Sequence, residues 1–208
     1  MAHRLTVIVV AFLCGLGADP VAAQQAIGAV SRIQGQASGT HGGVAEALAL
    51  KSSVFRDETV STAEGARLEV TFVDGTQLTL GEKTKLTLDA FVFDPAASRG
   101  TIKFAVAGAF RFISGQASKL AQSDVSVTTP VAVIGIRGTQ FWGGPIDNQA
   151  LGVFLIEGAV SVTNAAGAQI LNQTGQGTNI ATAGAAPGPV TFWPQAKVDR
   201  AIATVTFR

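Results

Sequence analysis

The chain has 208 residues, which is room for one domain with a substantial core or for two small ones at most. Hydrophobic residues make up 47% and charged residues only 14%, with 24 Gly and no Tyr. That balance excludes intrinsic disorder, and the Gly residues lack the three-residue period of a collagen. A formal charge of +1 with no run of Lys or Arg offers nucleic acid no basic face, so no nucleic-acid partner is expected.

The start of the chain reads as a secretory signal over residues 1–23. Arg4 supplies a positive charge, Leu5 to Leu16 is apolar, and Val21-Ala22-Ala23 places small residues where a signal peptidase reads them, which predicts cleavage after Ala23. The apolar run is shorter than the roughly 20 residues that span a bilayer. Cys14 follows Ala11-Phe12-Leu13, which is not a lipid-attachment box, and the chain after Ala23 has no Cys. The expectation is a periplasmic or secreted product without disulfides and without a transmembrane segment in its mature chain.

Beyond the signal the pattern is that of strands. Arg67 to Phe72 puts Leu68, Val70 and Phe72 on one face and polar side chains on the other. Asp74-Gly75 then predicts a type I′ hairpin turn, with Thr76 to Leu80 returning antiparallel. Further alternating runs occupy Lys85 to Phe93, Thr101 to Val106, Ala109 to Ile113, Val125 to Thr128, Val131 to Ile136, Leu151 to Ile156 and Ala159 to Thr163. Short strands at this spacing predict an all-β domain. Only Gln195 to Ala203, after Pro194, places Val198 and Ile202 at helical spacing, and it reads equally as an edge strand.

A repeat is visible. Gly28 to Ser38 matches Gly108 to Ser118 at seven of eleven positions, and a weaker copy begins at Gly158. Each copy reads as a Gly-led turn, a short strand and a second Gly turn. The expected fold is therefore many short antiparallel strands in an elongated single domain resembling a β-roll or solenoid. The expected division is a signal at 1–23, the all-β domain at 24–182 and a tail with a short terminal element at 183–208.

Several segments together resemble one family. Gly108 to Lys119, and Thr129-Pro130 through Gly135-Ile136-Arg137-Gly138-Thr139-Gln140-Phe141, look like the FecR domain family, as do Glu64 to Leu80 and Glu157 to Val162. Members are best known as the periplasmic portion of transmembrane regulators that relay iron-siderophore status to a sigma factor. This sequence departs from that plan, because its apolar stretch reads as a cleaved signal and only a short tail follows the matched region. What the resemblance implies is an exported binding or interaction module.

Catalytic and metal-binding patterns are sparse. His41, in Gly39-Thr40-His41-Gly42-Gly43, reads as a solvated loop histidine with no second ligand at zinc spacing. No G-x-S-x-G elbow or G-x-x-x-x-G-K loop occurs, and Asp57 and Glu58, adjacent on an extended chain, point to opposite faces. No catalytic activity, metal or cofactor is expected. One bond keeps a chemical alternative: some family members cut themselves at a Gly-Thr bond, and Gly138-Thr139 matches it. There the Thr139 hydroxyl would attack the Gly138 carbonyl, turning the amide into an ester that water splits.

Arg137, Phe141 and Trp142 flank the same turn and are the candidate binding residues, as an aromatic anchor beside a cation. The expected function is a non-enzymatic binding module of the bacterial cell envelope, in sensing or signalling. Its expected partner is an envelope protein or cell-wall component, with self-association as a further expectation from the thin charged fraction. The alternatives are self-processing at Gly138-Thr139 and a cell-wall carbohydrate-binding module, for which only Trp142 and Trp193 are available as sugar platforms.

Overall fold

The computed structural model describes residues 25–208; the expected signal at 1–23, its cleavage site after Ala23 and Cys14 lie outside the described residues. Alternation sets the architecture. In Arg67–Phe72 the apolar residues Leu68, Val70 and Phe72 are buried while Glu69 and Thr71 stay half-exposed on the opposite face. The first half of the sheet contains β1 (Ala26–Gln34), β2 (Ala37–His41), β3 (Val44–Ala47), β4 (Ser53–Phe55), β5 (Thr59–Thr62), β6 (Arg67–Phe72), β7 (Gln77–Leu80) and β8 (Lys85–Asp94). The second half contains β9 (Arg99–Ala107), β10 (Phe110–Ile113), β11 (Gln122–Thr128), β12 (Val133–Ile146), β13 (Gln149–Asn164), β14 (Gly167–Leu171), β15 (Gln176–Ile180) and β16 (Thr191–Phe192).

The protein is all-β. Its strands join in one sheet of order β3-β2-β5-β8-β9-β11-β12-β10-β7-β6-β1-β4, with β13 beside β12 and carrying β14 and β15, and with β16 beyond β15. Among the described pairings β9 with β11 is parallel. The others are antiparallel. A twisted sheet of this many strands curls until its apolar faces meet. Here Phe72 of β6 stacks on Phe104 of β9 at 4.8 Å and on Phe91 of β8 at 5.6 Å between ring centroids. One layer therefore holds β1, β6, β7 and β10, the other β5, β8, β9 and β11, and the main core lies between them.

In its first two copies the repeated Gly device marks crossings between these layers. Gly35 links β1 to β2 with φ +73° and sits 3.0 Å, measured from where a Cβ would stand, from the Ala66 Cα. In the second copy Gly115 follows β10 and packs against Asp74 and Thr76, leading through a short 3-10 turn at Ala117–Lys119 into β11.

Turn chemistry differs from expectation at Asp74-Gly75. The β6–β7 hairpin forms, but only Gly75 has positive φ (+83°) and its N–H donates to Phe72 C=O at 2.9 Å, so the loop is a longer turn closed by a glycine bulge. Asp74 is thereby free to accept from Thr76 N, Thr76 Oγ1 and Ala117 N at 3.0, 2.8 and 3.1 Å. The type I′ pattern of two successive positive φ angles occurs at Asp147-Asn148 (+51°, +59°), between β12 and β13, and at Gly42-Gly43 (+56°, +81°). His41 therefore ends a strand at a tight hairpin and is not part of a loose loop.

After Pro194 the chain forms α1 (Gln195–Ala203), which settles the helix-or-strand ambiguity of that segment. Pro194 precedes the first turn with an extended ψ of 148°, where its missing N–H costs nothing. The helix and the residues after it lie on the outer face of the sheet, where Ala109, Trp142, Phe154, Trp193, Ala201 and Val205 form a second apolar cluster.

Candidate functional site

The segment Ile136-Arg137-Gly138-Thr139-Gln140-Phe141 lies at a bend in the longest hairpin. Up to Arg137, which pairs with Ala159, β12 runs beside β11; from Gln140, which pairs with Glu157, it runs beside β10 in the other layer. Between those points Gly138 and Thr139 oppose Gly158, two residues against one, which is a β-bulge that bends the strand. Gly138 has φ +58° and Gly158 φ +84°. A Cβ on Gly158 would collide with the Gly138 carbonyl oxygen and stand 3.0 Å from Thr139 Oγ1, so glycine is required for the two strands to approach.

Thr139 pins the bend. Its hydroxyl donates to Ala159 C=O at 2.6 Å and accepts from Ala159 N at 3.2 Å. Its N–H donates to Ser114 Oγ at 2.8 Å, and its C=O accepts from Ser114 N at 3.0 Å. The hydroxyl that would attack the Gly138 carbonyl thus has its proton directed to a backbone oxygen, and among the described residues no His, Asp or Glu is hydrogen-bonded to it.

The three candidate binding residues separate onto different surfaces. Phe141 is fully buried between the layers, with its ring 5.7 Å from Phe110 and 5.6 Å from Phe112. Trp142, next in sequence and therefore on the opposite face, is also fully buried, under the C-terminal segment. Arg137 is exposed, and among the described residues it forms neither an ion pair nor a contact over an aromatic ring. Cations do lie over rings elsewhere: Lys197 Nζ is 4.0 Å from the Trp193 ring centroid and Arg32 is 4.1 Å from that of Phe207.

Trp193, which the sequence offered only as a sugar platform, anchors the outer apolar cluster. It stacks on Phe154 at 5.4 Å and meets Trp142 edge-on at 6.1 Å, in a seat left open by Gly152 and Gly177. With both Trp residues buried, neither offers a face to a sugar ring. Around Trp193, Lys197 Nζ donates to Asn179 Oδ1 at 2.9 Å and lies 3.8 Å from Asp147, while Arg200 clasps Asp147 at 3.0 Å. The Arg200 hydrogen bonds hold the Asp147 carboxyl below its ordinary value, and burial pushes the Lys197 ammonium below its own. The two basic residues are one helical turn apart, with Asp147 at the hairpin tip ahead of them, a pairing across a long stretch of chain that no local pattern announces.

At the far edge of the sheet, Glu58 is 4% exposed and accepts from Phe55 N at 2.8 Å through Oε2. Burial raises its pKa, and the Phe55 hydrogen bond only partly offsets this. Among the described residues no cluster of three His, Cys, Asp or Glu could hold a metal, and no helix is long and apolar enough to cross a membrane.

The family profile described as FecR protein matches residues 58–161, which takes in the β6–β7 hairpin, strands of both layers and the bend. In fold, the chain resembles a protein of Parabacteroides distasonis ATCC 8503 described as a "putative anti-sigma factor", in crystal structures at 1.65 and 2.50 Å resolution. Each alignment has a TM-score of 0.54 at 16% identity, over 68% of this chain and 62% of that one. This chain thus accounts for less than two thirds of that protein's length, and the likeness is one of fold. No curated protein matches the sequence.

Proposed function

The chain belongs to the FecR protein family, and on that premise we propose that it is an exported, non-enzymatic binding module of the bacterial cell envelope, acting in sensing or signalling. The observation that carries the reading is the family match itself, because residues 58–161 take in β5 to β12 with most of β13 and include the Arg137-Gly138-Thr139 bulge. The description of the structural neighbour supports the signalling part of this reading. In this proposal residues 1–23 direct export and are removed, 24–182 form the binding domain, 183–208 are its tail, and the product resides in the periplasm or is secreted.

The hydrogen bonding at Thr139 supports a structural role for the bulge, whereas the positive φ of Gly138 on an exposed strand bend keeps self-processing as the second reading. Intact mass of the protein from the exported fraction separates them. A single species from Gln24 to Arg208, together with saturable capture of one envelope protein, supports the module. Fragments ending at Gly138 and beginning at Thr139 support self-processing, and recovery only from the cytoplasm removes the envelope role.

A further inference from the structure

The edge of the sheet at β3 has features that the bend and its glycines do not explain. Gly42-Gly43 closes a tight hairpin in which His41 pairs with Val44, Thr40 with Ala45, Gly39 with Glu46 and Ser38 with Ala47. Leu48 N donates to Ala37 C=O at 2.9 Å, which continues that ladder. In an antiparallel pair, hydrogen-bonded and non-hydrogen-bonded pairs alternate. With positions 44, 46 and 48 turned toward β2, the N–H and C=O of Ala45 and Ala47 point outward. Among the described residues no strand pairs with that edge, and all four residues of β3 are exposed.

Clefts open on both faces of this hairpin. On the inner face a cleft of about 350 Å³ is lined by Gly39, His41, Glu46, Phe55 and Glu58. On the outer face a wider one of about 580 Å³ is lined by Ser38, Ala45, Ala47 and Ser61. Glu58 rises beneath β2 in the space left because residue 39 has no side chain, since a Cβ there would strike Glu58 Oε1. The inner cleft thus holds two carboxylates beside one His, and the outer one is lined mostly by small side chains, together with Gln36, Glu46 and Leu48.

We propose that β3 is a docking edge for an extended segment of another protein, which adds as a strand through the Ala45 and Ala47 backbone and places a Lys or Arg side chain in the Glu46–Glu58 cleft. The period of two then sends the flanking side chains into the outer cleft, so the backbone supplies affinity and the clefts supply specificity. A second copy of this chain fits poorly. Two β3 edges laid antiparallel through Ala45 and Ala47 bring Glu46 opposite Glu46 of the other copy, a like-charge pair at the closest spacing in a sheet. A lone charge on a short edge strand is a guard against self-pairing, and it also selects for a basic guest.

This inference deepens the binding-module reading and rests on it. The test uses acetyl-TVKVTV-amide as probe, titrated into labelled protein and followed by amide chemical shifts. Controls are the same peptide with Glu in place of Lys and the Lys peptide carrying backbone N-methyl groups. The expected result is saturable shifts at Ala45 and Ala47, with each control weakened at least about tenfold. Ala45→Pro, which removes an outward N–H and keeps the β2 ladder, should weaken the probe by a similar factor. Glu46→Gln and Glu58→Gln should each narrow the preference for Lys over Glu.

Equal binding of the Lys and Glu peptides, shifts elsewhere on the surface, unchanged binding by Ala45→Pro, or no shifts at millimolar probe would each overturn the proposal. So would a concentration-dependent dimer abolished by Ala45→Pro, which would make a second copy the occupant. Capture of the same envelope protein by wild type and Ala45→Pro would sink the edge while leaving the binding module standing, whereas loss of all capture from wild type would sink the module itself.

Discussion

The indole N–H of Trp142 donates to the Thr204 hydroxyl at 3.0 Å, joining the strand after the bend to the residue that ends α1. Thr204 Oγ1 in turn donates to Ala201 C=O at 2.6 Å, and Trp142 is completely buried. The C-terminal segment, which lies beyond the family match, is thereby part of the packing of the sheet that the match covers.

Thr204→Val tests that tie. The substitution keeps the shape but leaves a buried indole N–H without an acceptor, so it should cost about 1–3 kcal/mol. Trp142→Ala, which empties the outer cluster, should cost roughly 3–5 kcal/mol. Urea denaturation measures both, and a neutral Thr204→Val would mean that the hydrogen bond does not hold the segment in place.

The two glycines at the bend make opposite demands. Gly138 has φ +58° and open space where a Cβ would stand, so Gly138→Ala meets only backbone strain of about 1–2 kcal/mol. Gly158 combines φ +84° with a Cβ position 2.9 Å from the Thr139 Cα, so overpacking is added and Gly158→Ala should cost roughly 2–5 kcal/mol. A comparison of denaturation midpoints decides, and equal costs would mean that the strands do not approach at the bulge as described.

Local chemistry made most of the sheet legible and left the long-range ties hidden. The period-2 runs at Arg67 to Phe72 and Ala109 to Ile113 coincide with β6 and β10, because one buried face imposes alternation directly. Leu151 to Ile156 and Ala159 to Thr163 read as two strands but form one, β13, since the glycine between them serves a bulge and does not end the strand. At the bend the motif was legible while the fate of its side chains was not. Phe141 and Trp142 alternate to opposite faces, and only the course of the C-terminal segment decides that both are buried. Trp193, Asp147 and Lys197 meet through the docking of α1, a contact that no short window of sequence encodes.

Asp74 has a second role of this kind, carried by its carboxylate. It accepts from Thr76 N, Thr76 Oγ1 and Ala117 N while fully buried, and Gln116 N donates to its C=O at 2.8 Å, so the β6–β7 turn holds the crossing after β10. Asp74→Ala leaves buried donors unpaired at about 1–3 kcal/mol for each that water cannot reach. The expected result is a loss of several kcal/mol, read by thermal and urea unfolding, with faster amide exchange at Thr76 and Ala117. Unchanged exchange at Ala117 would show that the crossing is held by something else.

Glu58 predicts a pH dependence whose sign follows from its burial. Burial raises the carboxyl above its ordinary value, so the folded state holds this proton to a higher pH than the unfolded chain does. The stabilising contribution of the protonated form is therefore complete below the ordinary carboxylate range and is lost as pH climbs through the raised value. Glu58→Gln keeps an acceptor for Phe55 N–H and removes the charge, so the variant should match wild type in acid and gain on it as pH rises through that window. Beside burial and the Phe55 hydrogen bond, His41 lowers and Glu46 raises the Glu58 value across the same cleft, whereas carboxylates away from it are common to both proteins and cancel in the difference. Melting temperatures of the two proteins, measured in parallel from acid to neutral pH, provide the test. A difference that stays flat, or that favours wild type as pH rises, would show that the charged form of Glu58 is well accommodated and that the cleft beneath Gly39 is wetter than its burial indicates.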